Sequence, residues 1–318
     1  VTRGRLDEKA MWEFTEGSFI CTECHRCTDV CPSRIDLQDL WLASAMADET
    51  CPNRPICHPE RIDFSVPDFA LMAARAGSVH KTGGTSFFYT STDRCRSWEG
   101  PYSLPIFGQT GVAARTDYQI LGPRECLLFL SAGKADGTEG QMFCARTVDG
   151  GRNYRFLSYI DSEVRGEGWA IMPASLRLPA GVLLVARRCG APAGKNRPWR
   201  HWIDLCRSDD DGASWTYVTR PVPNAGLNGN PPTLSRLLDG RLCLIYGYRD
   251  RPYGIRAVLS GDEGRSWTDP IVLRDDAGTP DVGYPRTAVL SDGTVVTAYY
   301  FADSYEGERY IAATRWKP

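Results

Sequence analysis

The stretches Ser208-Asp209-Asp210-Asp211-Gly212-Ala213-Ser214-Trp215 and Ser260-Gly261-Asp262-Glu263-Gly264-Arg265-Ser266-Trp267 share one pattern, Ser-x-Asp-x-Gly-x-Ser-Trp. A third copy, Ser91-Asp93-Cys95-Ser97-Trp98, puts Cys where the others have Gly. A looser fourth runs Thr147-Asp149-Gly151-Asn153-Tyr154. The aspartates stand 56, 61 and 52 residues apart, a plausible length for one four-stranded unit. The pattern has the chemistry of a tight hairpin. Asp and Ser side chains bond nearby turn backbone. Gly supplies a positive φ, and the aromatic ring packs onto neighbouring sheet.

A second repeat keeps step with the first. A Pro opens an apolar run and a Gly turn follows eight residues later, as in Pro173 to Gly181, Pro232 to Gly240 and Pro285 to Gly293. Val66-Pro67-Asp68 and Ala114-Arg115-Thr116-Asp117 begin comparable runs. First strands are therefore expected near 66, 115, 172, 231 and 284. Short strands at even spacing, broken by turn signals, predict an all-β propeller. The last unit stops after its third strand, Arg309 to Trp316, so a strand from before about residue 66, or from sequence beyond residues 1–318, is expected to complete it.

Four copies of the signature in near register resemble the Asp-box, or BNR-repeat, motif of the sialidase-like β-propellers, over residues 62–318. The family is six-bladed, whereas five units are visible here. The resemblance implies a glycoside hydrolase acting on an acidic glycan, with three arginines gripping a carboxylate. It also implies a tyrosine nucleophile, a departure from the two-carboxylate glycosidases. Function in such propellers gathers where first strands begin. Carried onto this chain, the grip falls to Arg115, Arg249 and Arg286. Tyr284 is the candidate nucleophile, Asp117 the acid/base, and Glu139 or Glu308 the carboxylate that polarises the tyrosine. The Arg-Ile-Pro opening expected of a first sialidase blade is missing; the first recognisable blade opens Ser65-Val66-Pro67-Asp68 instead. A non-catalytic glycan-binding propeller is the alternative.

The N-terminal 61 residues differ in kind. Cys21, Cys24, Cys27 and Cys31, followed by Pro32, spell C-x2-C-x2-C-x3-C-P, which is similar to the run of ferredoxin-like iron–sulfur proteins. That resemblance implies a 4Fe–4S cluster on these thiolates, a partly helical segment 1–61 and a redox partner. A zinc site or a vestigial fragment is the competing reading. A single run leaves a lone cluster to draw on Cys31, Cys51 or Cys57.

Composition narrows the rest. Hydrophobic residues make up 42% and charged residues 24%, as in ordinary globular chains. A formal net charge of −2 gives no global field for nucleic acid, and no apolar run has membrane-spanning length. The four histidines do not pair at metal-ligand spacing. Neither a phosphate-binding Gly loop nor a Gly-x-Ser-x-Gly elbow is present. The six scattered cysteines, Cys95, Cys126, Cys144, Cys189, Cys206 and Cys243, are expected to be buried free thiols, which favours a reducing, cytoplasmic setting.

Overall fold

A computed structural model describes residues 2–5, 60–76, 85–134, 139–160, 168–194 and 198–318. The cysteine run Cys21 to Cys31 and the rest of segment 6–59 lie outside the described residues. The chain divides into two compact units, Glu8–Ser158 and Tyr159–Pro318 with Val1–Asp7. Every regular element among the described residues is a strand. They form five antiparallel sheets of the β-propeller blade type, as the repeats predict. No described helix is long and apolar enough to cross a membrane.

Strand β1 (Thr2–Arg5) belongs with the last blade and is described there. The Glu8–Ser158 unit holds two blades. One comprises β2 (Ala70–Ala76), β3 (Thr85–Ser91) and β4 (Glu99–Ser103). The other comprises β5 (Val112–Gly122), β6 (Glu125–Gly133), β7 (Glu139–Thr147) and β8 (Arg155–Tyr159). Leu71, Phe88, Leu128, Leu130 and Phe143 pack into a single core within this unit.

The other unit holds three blades. The first runs β9 (Trp169–Arg177), β10 (Leu183–Pro192), β11 (Trp199–Ser208) and β12 (Thr216–Val222). The second runs β13 (Thr233–Arg236), β14 (Leu242–Tyr248), β15 (Gly254–Ser260) and β16 (Ile271–Arg274). The third runs β17 (Gly283–Val289), β18 (Val295–Phe301) and β19 (Tyr310–Trp316). Its fourth strand is β1, paired antiparallel with β19 in the register Thr2 to Arg315. A strand from the start of the chain thus completes the blade whose own sequence stops at the third strand. First strands begin at 70, 112, 169, 233 and 283, within four residues of the expected starts. Val66-Pro67-Asp68 precedes the first of them as a turn.

Blades in this unit are held by apolar faces meeting between sheets. Leu184, Ala186, Leu205, Leu244 and Val258 join the first to the second. Ile245, Ala257, Val282, Tyr299 and Phe301 join the second to the third. Each strand pair alternates its side chains between these two packing layers. Both faces of a blade's middle strands are therefore covered, and β14 reads as a continuous apolar run, as does β10 as far as Ala186.

The signature turns link third to fourth strands in the four-stranded blades that carry them and β3 to β4 in the three-stranded one, and all repeat one hydrogen-bond pattern. The Ser or Thr hydroxyl donates to its aspartate at 2.7–3.0 Å. The same oxygen accepts the N–H of Cys95, Gly151, Gly212 or Gly264 four residues on, at 2.8–3.0 Å. The aspartate then takes the N–H and the side chain of the next Ser or Asn. Gly264 sits at φ +88°, where a side chain costs about 1 kcal/mol or more. Cys95 adopts the same left-handed region at φ +61°, so the Gly-to-Cys change keeps the turn. These bonds hold the Asp93, Asp210 and Asp262 carboxyls down at about 2.

All six scattered cysteines are buried and free, as expected. Burial pushes the Cys126, Cys144 and Cys189 thiols far up and that of Cys243 to about 12, so they behave as small apolar side chains.

Ser260→Ala removes the acceptor of the buried Gly264 N–H and one donor to Asp262. We expect a loss of about 1–3 kcal/mol in urea unfolding, with the slope unchanged. A midpoint equal to that of the wild type would show that the turn does not depend on this hydroxyl.

Candidate active site

The chemistry-bearing residues of the three-blade unit collect at the end where first strands start, opposite the signature turns. Asn230, wholly buried just before β13, organises this end. Its Nδ2 donates to the Val282 carbonyl at 3.0 Å. Its Oδ1 accepts the N–H of Gly247 at 3.2 Å and of Tyr284 at 3.0 Å. One carboxamide therefore ties β14 to the start of β17. It also holds Tyr284 at φ +50°, a conformation that non-glycine residues rarely adopt and that clusters at functional sites.

Arg249 leaves β14 and reaches the same carbonyl. Its Nε and Nη2 both donate to Val282 O at 3.2 Å. Nη2 also donates to the Tyr300 hydroxyl at 2.8 Å. Tyr300 in turn donates to Asp281 Oδ1 at 2.6 Å. Arg309 closes on the other carboxylate oxygen at 3.4 Å, and Arg249 lies 3.7 Å from the first. Burial pushes the Tyr300 hydroxyl well above its ordinary value. Arg249 opposes this, and the hydrogen bond to Asp281 adds to it. The proton is thus held on Tyr300 but already directed at a carboxylate.

The expected residues fall out as follows. Arg249 and Tyr284 are brought together through Tyr300, whose ring centroid is 5.7 Å from that of Tyr284. Arg286 lies on β17 opposite Ala298, half-buried, on the sheet face that also carries Tyr300. Glu308 is exposed in the loop before β19. Arg115 and Asp117 lie in β5, with Asp117 opposite Phe129 in mid-strand, and Glu139 begins β7. All three belong to the two-blade unit.

The sequence reading missed the tyrosine–carboxylate pair itself, Tyr300 with Asp281. Both sit near expected positions: Asp281 two residues before β17, Tyr300 at the end of β18. The available signal was Tyr299-Tyr300 closing an apolar strand, where one ring must face the core and the other the open end. Tyr299 is buried and bonds Thr314, leaving Tyr300 for the site.

A second group adjoins it. Arg188 is buried and donates from Nε to the Asn228 carbonyl at 3.0 Å and from Nη1 to Met172 Sδ at 3.1 Å. Its guanidinium lies 5.0 Å from the centroid of Trp169. His201, 6% exposed, packs its ring against Trp169 and Trp199. Burial lowers His201 to about 4; the Arg188 charge lowers it further, while Asp250 works the other way. His201 is therefore neutral at ordinary pH. Among the described residues no group of three metal-ligating side chains is gathered.

The family model of the BNR repeat-like domain matches residues 69–297. The chain belongs to that family. No curated protein matches it significantly. Among solved structures, a Dyadobacter fermentans protein of unknown function is 24% identical, with a TM-score of 0.59 over 72% of this BNR-repeat chain and 63% of its own. A Penicillium chrysogenum α-L-arabinanase complexed with arabinobiose is 16% identical (TM-score 0.57, 82% of this chain and 75% of that one). The sialidase NanB of Streptococcus pneumoniae is also 16% identical (TM-score 0.52, 74% and 36%). The chain thus spans under two thirds of the Dyadobacter protein. These likenesses are likenesses of fold, a propeller that glycoside hydrolases share.

The low His201 value has a signed consequence. The unfolded chain takes up a proton near 6.5 and the folded one only near 4, so this residue's contribution is complete above about pH 6.5 and declines toward pH 4. The stability advantage of the wild type over His201→Phe should therefore shrink between about pH 7 and pH 4.5. Urea midpoints at the two pH values measure it; a constant difference would mean that His201 titrates normally.

Proposed function

We propose that this propeller is a glycoside hydrolase of the sialidase-like class acting on an acidic glycan, with Tyr300 as nucleophile and Asp281 as its base. The observation that carries the reading is the 2.6 Å hydrogen bond from the Tyr300 hydroxyl to Asp281, with Arg249 donating to the same hydroxyl. A nucleophile within hydrogen-bond reach of its base, with the base steadied by Arg309, is the arrangement covalent catalysis needs. As the tyrosyl oxygen bonds the anomeric carbon, its proton passes to Asp281. The aglycone bond breaks, and the leaving oxygen takes a proton from solvent. Water then cleaves the tyrosyl–sugar bond, giving its hydroxyl to the sugar and its second proton to solvent, and Asp281 returns the proton to Tyr300.

Arg249 fits the electrostatic part. Its Nε and Nη2 are fixed on Val282 O and Tyr300, while Nη1 takes part in none of these bonds and is the nitrogen offered to a substrate carboxylate. Tyr284 stands beside the nucleophile as a wall. The arabinanase and the sialidase among the structural relatives support a glycosidase reading at the level of fold. Arg249 also favours a second reading: two of its donors are spent inside the protein, which suits a rigid recognition face without turnover.

Hydrolysis of a panel of fluorogenic glycosides, including sialosides and uronides, separates them. One acidic sugar should be turned over. Tyr300→Phe and Asp281→Asn should each lower kcat by about 100-fold or more, and Tyr284→Phe by much less. Turnover that survives Tyr300→Phe would sink the assignment. Binding of an acidic glycan with no turnover across the panel would establish the recognition reading.

A further inference from the structure

Trp199 is the most exposed aromatic of a three-ring cluster, at 42% of its surface, and it begins β11. Its indole is within 25° of parallel to that of Trp169, with centroids 6.5 Å apart. It is within 14° of parallel to the His201 imidazole at 6.1 Å. Trp169 and His201 are themselves 5.7 Å apart. The exposed ring is thus braced by two rings beneath it. The backbone is shaped for this: a Cβ on Gly190 would fall 2.5 Å from Trp169 and 2.9 Å from His201, so only glycine lets Trp169 lie where it does.

A large, rigid indole left in water on such a support is unfavourable for a free protein and suited to a ligand with a flat apolar face. Two features narrow the ligand. The Arg188 guanidinium already occupies a position over Trp169, so a second cation is disfavoured next to the cluster. His201 is neutral at ordinary pH, so the rings themselves add no charge to that of Arg188. A neutral ring presenting C–H groups fits both.

The cluster is also connected to the Tyr300 site through one loop. The Ala225 N–H donates to the His201 carbonyl at 2.9 Å, and the Arg249 N–H donates to the Ala225 carbonyl at 3.2 Å. Arg188 holds the same loop at Asn228. Loop 225–228 therefore borders both Arg249 and the aromatic cluster.

We propose that Trp199, stacked with Trp169 and His201, is a subsite for a neutral hexopyranose of the glycan whose acidic residue occupies the Tyr300–Arg249 site. The proposal rests on the glycan reading above, and it makes the ligand an oligosaccharide rather than a single sugar. The neutral ring lies face-on against the indole, and loop 225–228 separates the two subsites.

The test needs no turnover. β-1,4-Galactotetraose and cellotetraose are titrated into the full chain, with binding read by tryptophan fluorescence and by calorimetry, and AMP serves as a flat ligand that is not a sugar. At least one tetraose should bind. Trp199→Ala should weaken it by about tenfold or more, while Trp199→Phe retains most of the affinity, with melting temperatures confirming that both variants fold. Failure of both tetraoses to bind, equal binding to Trp199→Ala, or preference for AMP would overturn the subsite. Because neutral sugars report it, tetraose binding without turnover of any acidic glycoside would leave the subsite standing and remove the hydrolase reading. Turnover without tetraose binding would do the reverse.

Discussion

The Val282 carbonyl is the point on which the site depends. Asn230 donates to it from beneath and Arg249 donates to it from beside. Asn230 is wholly buried, so its amide bonds form where water cannot replace them and leaving them unmade is costly. The same carboxamide fixes the Tyr284 backbone, and the same guanidinium fixes the Tyr300 hydroxyl. The position of the tyrosines therefore follows from one buried amide and one arginine joined at a backbone oxygen.

This arrangement separates two tasks along each blade. The signature turns sit at one end and satisfy their own polar groups within five residues. Their aspartates are consumed by the hairpin, and their depressed carboxyl values reflect hydrogen bonds made by the turn itself. The opposite end draws its bonds from residues far apart in the chain, which allows side chains of several strands to converge. Structure and chemistry thus occupy opposite ends of the same strands.

That division explains what could be read from the sequence. The turns were legible because their contacts are local: Ser260, Asp262 and Gly264 bond one another in a fixed pattern, and four copies betray the blade length. Blade boundaries followed from the prolines and glycines that flank first strands. Arg249 and Tyr284 could be nominated because each sits at a strand end facing the same way. The Tyr300–Asp281 pair could not, since the partners are 19 residues apart and Arg249 reaches Tyr300 from 51 residues away. Nor does local sequence say which of Tyr299 and Tyr300 points into the core; that depends on the pleat of β18 against its neighbours. The aromatic cluster was hidden for the same reason, because Trp169, Gly190 and Trp199 meet only when β9, β10 and β11 pair.

The most direct test of the account is to trap the sugar on the enzyme. A fluorinated analogue of the acidic sugar that is turned over, designed to leave a slow-hydrolysing covalent adduct, is incubated with the protein, and the labelled peptide is sequenced by mass spectrometry. A single glycosyl adduct on Tyr300, absent from Tyr300→Phe, is the expected result. An adduct on Tyr284, or steady turnover with no adduct on any tyrosine, would contradict it.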